Sequence, residues 1–437
     1  MNRPRQKIAR HTRPSYYSSS SMQVNLNSAP RKLLFALVCM VAGGFYLAVI
    51  GSHYLAVSLA AQSGEHTLER AVSLEPWNAK WRWQLGQYLL FVAQDQKRAV
   101  SNLEKAVALN SHVAQYWLDL AVAYGVFGNA QRQRNALESA LQAEPTAPNV
   151  AWQAANFYLV GNDVGNALPL LRVVMKNDPE QLNAALKLAW RITQNATQML
   201  RKAVPAEPLT YFAFLKLLTE NGDTSAAQVV WDGLINLGQP FPVSDAFPYF
   251  DYLIQKHDTA AAVRVWKELL RQSSALQSYT QSGNLIVDGG LEKEFLNGGF
   301  DWRYSVTNAV ELSVDYNEFR GGNQALRLAF EGPAVSDGGF FEYVPVLPNT
   351  DYRFSVYTKS EDIESASGPR LAVLDAYSGQ AYVLTDDSLG TIAWRQQSAN
   401  FRTRPETSLL VVKVLRAPSN PLIKGKFWID DVSLVQL

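Results

Sequence analysis

The residues of this chain that could do chemistry are few and far apart. His11, His53, His66, His112 and His257 stand singly, whereas metal centres and histidine-based triads need several groups to converge. Asp386-Asp387 and Asp430-Asp431 have the residue types of glycoside hydrolysis. Neighbouring carboxylates on a strand point to opposite faces, however, and that reaction sets two of them across a cleft. The sequence holds no Gly-x-Ser-x-Gly elbow, His-Glu-x-x-His helix, glycine-rich phosphate loop or dinucleotide fingerprint, so the common hydrolytic and nucleotide-dependent chemistries lack their motifs. Cys39 is the only cysteine, which excludes an internal disulfide and a thiolate metal cluster. The residues therefore point to a binding protein that is not an enzyme and requires no cofactor. An envelope glycoside hydrolase with an unrecognised active site and a purely structural assembly factor are the alternatives.

Any binding residues must be positioned by more than one folded body. The chain has 437 residues, 47% of them apolar and 18% charged, which is too long for one core and too apolar for disorder. Forty Lys and Arg against 39 Asp and Glu leave a net charge of +1, so no global field favours nucleic acid. The charge is unevenly placed. Residues 1–64 contain no Asp or Glu, while Arg3, Arg5, Lys7, Arg10, Arg13, Arg31 and Lys32 are basic. Residues 33–50 follow without a charge, and a softer apolar run reaches Ala61. At about 1.5 Å per residue this length crosses a bilayer core. The basic flank predicts a cytoplasmic N-terminus and places everything after about residue 60 across the membrane, as in a single-pass inner-membrane protein. Residues 1–32, with serines at 18 to 21, read as a disordered basic tail. A cleaved signal peptide ending near Ser58 and Ala60 and a buried core helix compete with the anchor at 33–60; the length of the apolar run argues against the first and its basic flank against the second.

Beyond the anchor the sequence repeats. Leu103, Leu137 and Leu171 are 34 residues apart, as are Ala106, Ala140 and Val174, and Ala99, Gln133 and Ala167. Trp117, Leu120, Ala121 and Tyr124 fall at i, i+3, i+4 and i+7, one face of a helix. Pro145 and Pro179 close successive repeats. These residues resemble the tetratricopeptide repeat, with its Trp-x2-Leu-Gly-x2-Tyr start, later alanines and closing proline. The resemblance covers about residues 65–200; two further helix pairs are expected at 211–218 with 226–234 and at 249–254 with 260–270. Such arrays bind protein partners along a groove. Lys80, Trp83 and Gln87 in the first repeat and Asn149, Trp152 and Asn156 in the third occupy equivalent groove places, where aromatics beside amides suit an extended partner. Gln115, Leu118 and Val122 hold those places in the second.

After a Ser/Gln-rich stretch at 272–283 the period changes to alternation. Tyr352, Phe354 and Val356 alternate with Arg353, Ser355 and Tyr357, Leu326 and Leu328 flank Arg327, and further apolar runs lie at 409–415 and 427–437. Short strands separated by Gly, Pro, Asn and Asp predict a β-sandwich. Asn284-Leu285-Ile286 with Gly289-Gly290-Leu291-Glu292 and Phe300-Asp301-Trp302, Gly322 with Ala325-Leu326-Arg327-Leu328, Pro348 to Tyr352 with Ser355, and Ile429 to Leu434 resemble, in that order, the signatures of jelly-roll carbohydrate-binding modules of the galactose-binding-like superfamily. The resemblance implies a polysaccharide ligand and a structural Ca²⁺ whose carboxylates match Glu292 and Asp431. Sugars are held by aromatic planes with polar groups at the rim. The candidates are Phe340, Phe341, Tyr343, Tyr377, Tyr382 and Trp394, with Trp302 and Trp428 assigned to the core.

The fold expected is multidomain: a transmembrane helix at 33–60, an all-α tetratricopeptide-like array at 65–272 and an all-β jelly-roll sandwich at 284–437. The function expected is a membrane-anchored scaffold of the cell envelope, its repeats binding a protein and its sandwich a polysaccharide, in exopolysaccharide assembly or export.

Overall fold

The computed structural model describes residues 28–280, 283–305, 308–419 and 421–437. It divides into two compact units, Met1–Pro145 and Thr146–Leu437. Most of the basic tail lies outside the described residues. Its last four positions do not continue a tail: Ala29 to Lys32 are the first turn of helix α1 (Ala29–Ala61), with Pro30 in that turn, where a missing N–H costs nothing.

Helix α1 is long and apolar enough to cross a membrane. It runs without interruption through the whole apolar segment. Its final turns pack on α2 (Glu65–Leu74), burying Ala56 and Ala60. Three more helix pairs follow in order: α3 (Ala79–Phe91) with α4 (Gln96–Leu109), α5 (Ala114–Val126) with α6 (Ala130–Ala143), and, in the second unit, α7 (Pro148–Val160) with α8 (Val164–Asn177). One cause of this regularity is a repeated cap. Asp95, Asn129 and Asp163, spaced by 34 residues, each begin the second helix of a pair. Each accepts a bond from the backbone N–H three residues on, at 3.1, 3.1 and 3.2 Å, satisfying a donor the helix leaves unpaired. Gly86 is fixed by packing, since a Cβ there would lie 2.7 Å from Leu103.

The second unit continues with a short pair that the 34-residue register does not foreshadow, α9 (Leu182–Thr193) and α10 (Ala196–Lys202). The two expected pairs are α11 (Pro208–Glu220) with α12 (Thr224–Asn236) and α13 (Phe247–Gln255) with α14 (Thr259–Gln272). Asp223 and Asp258 cap α12 and α14 in the same way as in the earlier repeats.

Two five-stranded antiparallel sheets form the C-terminal region. One has the order β1 (Arg303–Tyr304), β4 (Asp337–Pro345), β9 (Leu409–Leu415), β6 (Arg370–Asp375), β7 (Ala381–Leu384). The other runs β2 (Val310–Asp315), β3 (Ala325–Gly332), β10 (Ile423–Gln436), β5 (Asp351–Glu364), β8 (Gly390–Arg402). The alternation read at 352–356 is real: Tyr352, Phe354 and Val356 point into the core between the sheets, with Trp302 and Phe427. Trp302 and Trp428 are both buried. The segment that resembled a first strand, at 284–286, is not a strand. Leu285 donates its N–H to the Leu434 carbonyl, and Asn284 clamps β10 by donating to the Val432 carbonyl and accepting from the Leu434 N–H.

The Ser/Gln-rich stretch is docked over its described part. Residues 274–279 form a short 3-10 turn (Ser274–Tyr279) that buries Leu276 and Tyr279, and the Tyr279 hydroxyl donates to the Glu294 carbonyl at 2.7 Å. Beyond it the sandwich packs directly on α13 and α14. Phe300 sits 4.7 Å from the Phe250 ring and 6.2 Å from that of Trp266. Gly298 and Gly299 allow this approach, because a Cβ on either would lie 2.2 Å from Phe247 or 2.1 Å from Trp266, and Gly299 also has φ +62°. The guanidinium of Arg303 lies over Phe250 and Tyr343 and donates to Asp251 at 2.6 Å. Thr259 bonds to Tyr377 and Ser408, and His257 stacks on Tyr377 with centroids 4.0 Å apart.

Phe300→Ala is expected to destabilise the detergent-solubilised chain by about 3 to 5 kcal/mol, as for a buried aromatic truncation. Differential scanning calorimetry should show one transition for α13, α14 and the sandwich splitting into two, with new proteolysis at 272–283.

Candidate functional site

A cleft of about 510 Å³ is lined by residues of β1 and β2, each an edge strand of its sheet. Tyr304 on β1 and Tyr316, just after β2, contribute rings that are 42% and 68% exposed. Leu312 and Phe295 supply apolar wall, and Glu292 and Gln324 supply polar rim. An aromatic pair with carboxylate and amide groups beside it matches the requirements of a sugar ring, with an apolar face for its C–H bonds and acceptors and donors for its hydroxyls.

The wall carrying Glu292 to Phe295 has no ladder of backbone hydrogen bonds. Buried carboxylates hold it instead. Asp288 accepts from the backbone N–H groups of Glu292 and Lys293 at 3.3 and 2.9 Å, Asp301 from Leu296 at 2.7 Å, and Glu342 from Val287 at 2.9 Å. All three are buried. Burial raises Asp288, and it lifts Asp301 to about 7 against backbone bonds from Leu296 and Trp302. It raises Glu342 well above the carboxylate range. Among the described residues Asp301 Oδ1 and Glu342 Oε2 have no partner, which protonation makes tolerable.

Glu292 and Asp431 converge on one turn. Glu292 Oε1 lies 1.8 Å from where a Gly322 Cβ would sit, and Asp431 carboxylate oxygens lie 2.9 Å from that of Gly321. Glu292 Oε1 also accepts from the Asn323 and Gln324 N–H groups at 2.8 and 3.4 Å. A Ca²⁺ ion takes six to eight oxygens; among the described residues no group of three or more His, Cys, Asp or Glu side chains could hold a metal. Asp430 is fully buried and accepts from the N–H groups of Arg320, Gly321 and Asp431. It anchors the turn and has no surface for a substrate.

The aromatic residues singled out for sugar are dispersed. Phe340 has no exposed surface; it lies beneath the floor of the cleft, stacked on Trp302 at 4.5 Å. Tyr343 and Tyr377 pack against the helical core, and Phe341 meets Tyr343 edge-on at 5.4 Å. Tyr382 packs on the sandwich core and bonds to Thr407 at 2.7 Å. Trp394 is half-buried on β8, its Nε1 unpartnered among the described residues. Tyr304 and Tyr316 went unnoticed in the sequence. The available signal was an aromatic set among turn formers, Asp315-Tyr316-Asn317, where no core is at hand.

The groove residues of the repeats also divide. Trp83 and Gln87 donate to Asp119 Oδ2 at 2.5 and 2.9 Å, and Gln115 donates to its Oδ1 at 3.0 Å. Asp119 is buried, and desolvation raises its pKa despite these three bonds. Trp83 also lies 5.3 Å from Tyr116. These side chains thus tie α3 to α5. Leu118, at the equivalent place in the second repeat, is core at 1% exposure, while Lys80 is exposed with its ammonium 5.5 Å from the Trp81 ring. In the second unit Asn149 and Asn156 are exposed, and Trp152 is half-buried against the core.

No family model matches the sequence and no curated protein matches it. Solved structures similar to parts of it include one described as CBM4 structure and function, 10% identical over 35% of this chain and 99% of that one, with a TM-score of 0.28. TmCBM61, in complex with β-1,4-galactotriose, is 22% identical over 36% and 100%, with a TM-score of 0.26. Pseudomonas aeruginosa pilF is 14% identical over 54% and 100%, with a TM-score of 0.25.

Because Asp301 binds its proton more tightly folded than unfolded, its stabilising contribution is fully present below about pH 4 and is lost as the pH rises through about 7. The melting temperature of the intact chain is therefore expected to fall between pH 5 and pH 8, and Asp301→Asn should flatten that dependence.

Proposed function

We propose that this chain is a non-catalytic, membrane-anchored binding protein of the cell envelope. Helix α1 is its anchor, with the basic N-terminus cytoplasmic and the repeats and sandwich on the outer side. The sandwich binds polysaccharide at the cleft between β1 and β2, and the repeats hold a protein partner at the exposed surface around Asn149, Trp152 and Asn156. Assembly or export of an extracellular polysaccharide is the setting that joins these parts. The observation that carries the reading is the cleft itself, with two exposed tyrosine rings and a polar rim at the open edge of the sandwich. The absence of a catalytic role is supported by Asp430, which is sealed inside its turn.

The test is retention of the detergent-solubilised chain on a panel of polysaccharides, with reducing ends assayed in parallel. Tyr304→Ala and Tyr316→Ala are each expected to cost about 2 kcal/mol or more, at least about thirtyfold in Kd, as for an aromatic anchor. Unchanged retention by both variants would remove the cleft from the proposal, and release of reducing ends by the wild type would overturn the non-catalytic reading.

A structural Ca²⁺ at the Gly321-Gly322 turn belongs to the same proposal. Glu292 and Asp431 would be its carboxylate ligands, brought together there without a salt bridge to either among the described residues. Calcium chloride is expected to raise the melting temperature, and a chelator to lower it, with Asp431→Asn insensitive to both; identical melting in all conditions would exclude the ion.

A further inference from the structure

The bilayer boundary on α1 can be located from what the helix touches. His53 Nδ1 is 2.8 Å from Glu75 Oε1. Glu75 lies in the loop between α2 and α3, and its other oxygen accepts from Trp81 Nε1 at 2.6 Å and Asn78 at 2.9 Å. That bond sets the loop level with His53. Burial alone would raise the Glu75 carboxyl, yet the bonds from Trp81, Asn78 and His53 hold it below its ordinary value. A carboxylate so placed, followed by the exposed Lys80, does not belong in hydrocarbon. The hydrocarbon must therefore end before His53. At the other end the last charges before the apolar run are Arg31 and Lys32. The 21 residue steps from Lys32 to His53 rise about 32 Å as a helix, against a bilayer core of about 30 Å.

The α2–α3 loop then lies at the lipid surface. It presents Trp77, 66% exposed among the described residues, and the neighbouring turn of α1 presents Tyr54, 76% exposed. Tryptophan and tyrosine favour this depth, where the ring is buried and the polar edge stays wet. The opposite end of α3 carries Val92, 64% exposed, about one helix length farther out.

We propose that the α2–α3 loop rests on the bilayer, with Trp77 and Tyr54 seated among the lipid headgroups, so that the first repeat is held against the membrane by a second attachment beside α1. The proposal depends on α1 being the anchor, and the test separates the two. The full chain is reconstituted in phosphatidylcholine–phosphatidylglycerol vesicles with a nitroxide at a single cysteine: native Cys39, Pro76→Cys or Val92→Cys, the last two carrying Cys39→Ser. Collision with oxygen, which concentrates in lipid, is compared with collision with a water-soluble nickel chelate. The label at 39 is expected in the hydrocarbon, that at 76 at headgroup depth and that at 92 in water. Trp77→Ala should move the label at 76 outward, with several-fold greater nickel access. A label at 76 as wet as that at 92, with 39 still in lipid, would overturn the proposal and leave the anchor standing. It would also reassign Trp77 to a protein partner. A label at 39 in water would overturn both, and an unchanged depth at 76 in Trp77→Ala would remove the tryptophan from the attachment.

Discussion

The wedge of Phe300 between Phe250 and Trp266 is the constraint from which much else follows. Seating it requires the Gly298-Gly299 backbone to lie against the aromatic rings of α13 and α14, and that approach draws β1 and the end of β4 onto the helices. Once there, Arg303 is enclosed by Phe250 and Tyr343 and finds a carboxylate in Asp251. Tyr377 is drawn in with His257 and Thr259. The aromatic side chains on this part of the sheet are spent on packing, and the edge between β1 and β2 is where exposed rings remain.

The same region shows why buried carboxylates persist where apolar packing would be less costly. Residues 284–302 enter the sandwich without forming a strand, so their N–H groups cannot be satisfied by a ladder. Asp288, Asp301 and Glu342 serve in its place. A carboxyl group has several acceptor sites on one short stem, which suits an irregular backbone. Desolvation raises the pKa of all three, Asp301 to about 7 and Glu342 well above the usual carboxylate range.

Periodicity made the architecture legible. The 34-residue register at Leu103, Leu137 and Leu171 corresponds to buried positions in three successive pairs, and the alternation at Tyr352, Phe354 and Val356 to one buried strand face. Both signals are local, because a helix or strand imposes its own period on what it buries. The site residues depend on distant neighbours. Trp83 has the spacing of a groove residue, but its partner Asp119 lies 36 positions on. Tyr377 looks like a sugar platform until the helix carrying Thr259, 118 residues earlier, is laid over it. No window of sequence contains such pairs, so residue type alone overstated how many aromatics were free.

Repeat families lengthen and shorten by gaining or losing whole units, and their open ends are normally sealed by a polar terminal helix. Here the outer surface of α13 and α14 is already consumed by the sandwich, through Phe250 and Trp266. A duplicated pair inserted after Gln272 would separate Phe250 and Trp266 from Phe300 and leave two apolar surfaces unmatched. The evolutionary freedom of the array to change length is thereby confined to its interior, among the pairs that share the Asp95, Asn129 and Asp163 cap. Gains or losses of 34 residues in related chains should fall there, upstream of a C-terminal block inherited as one piece.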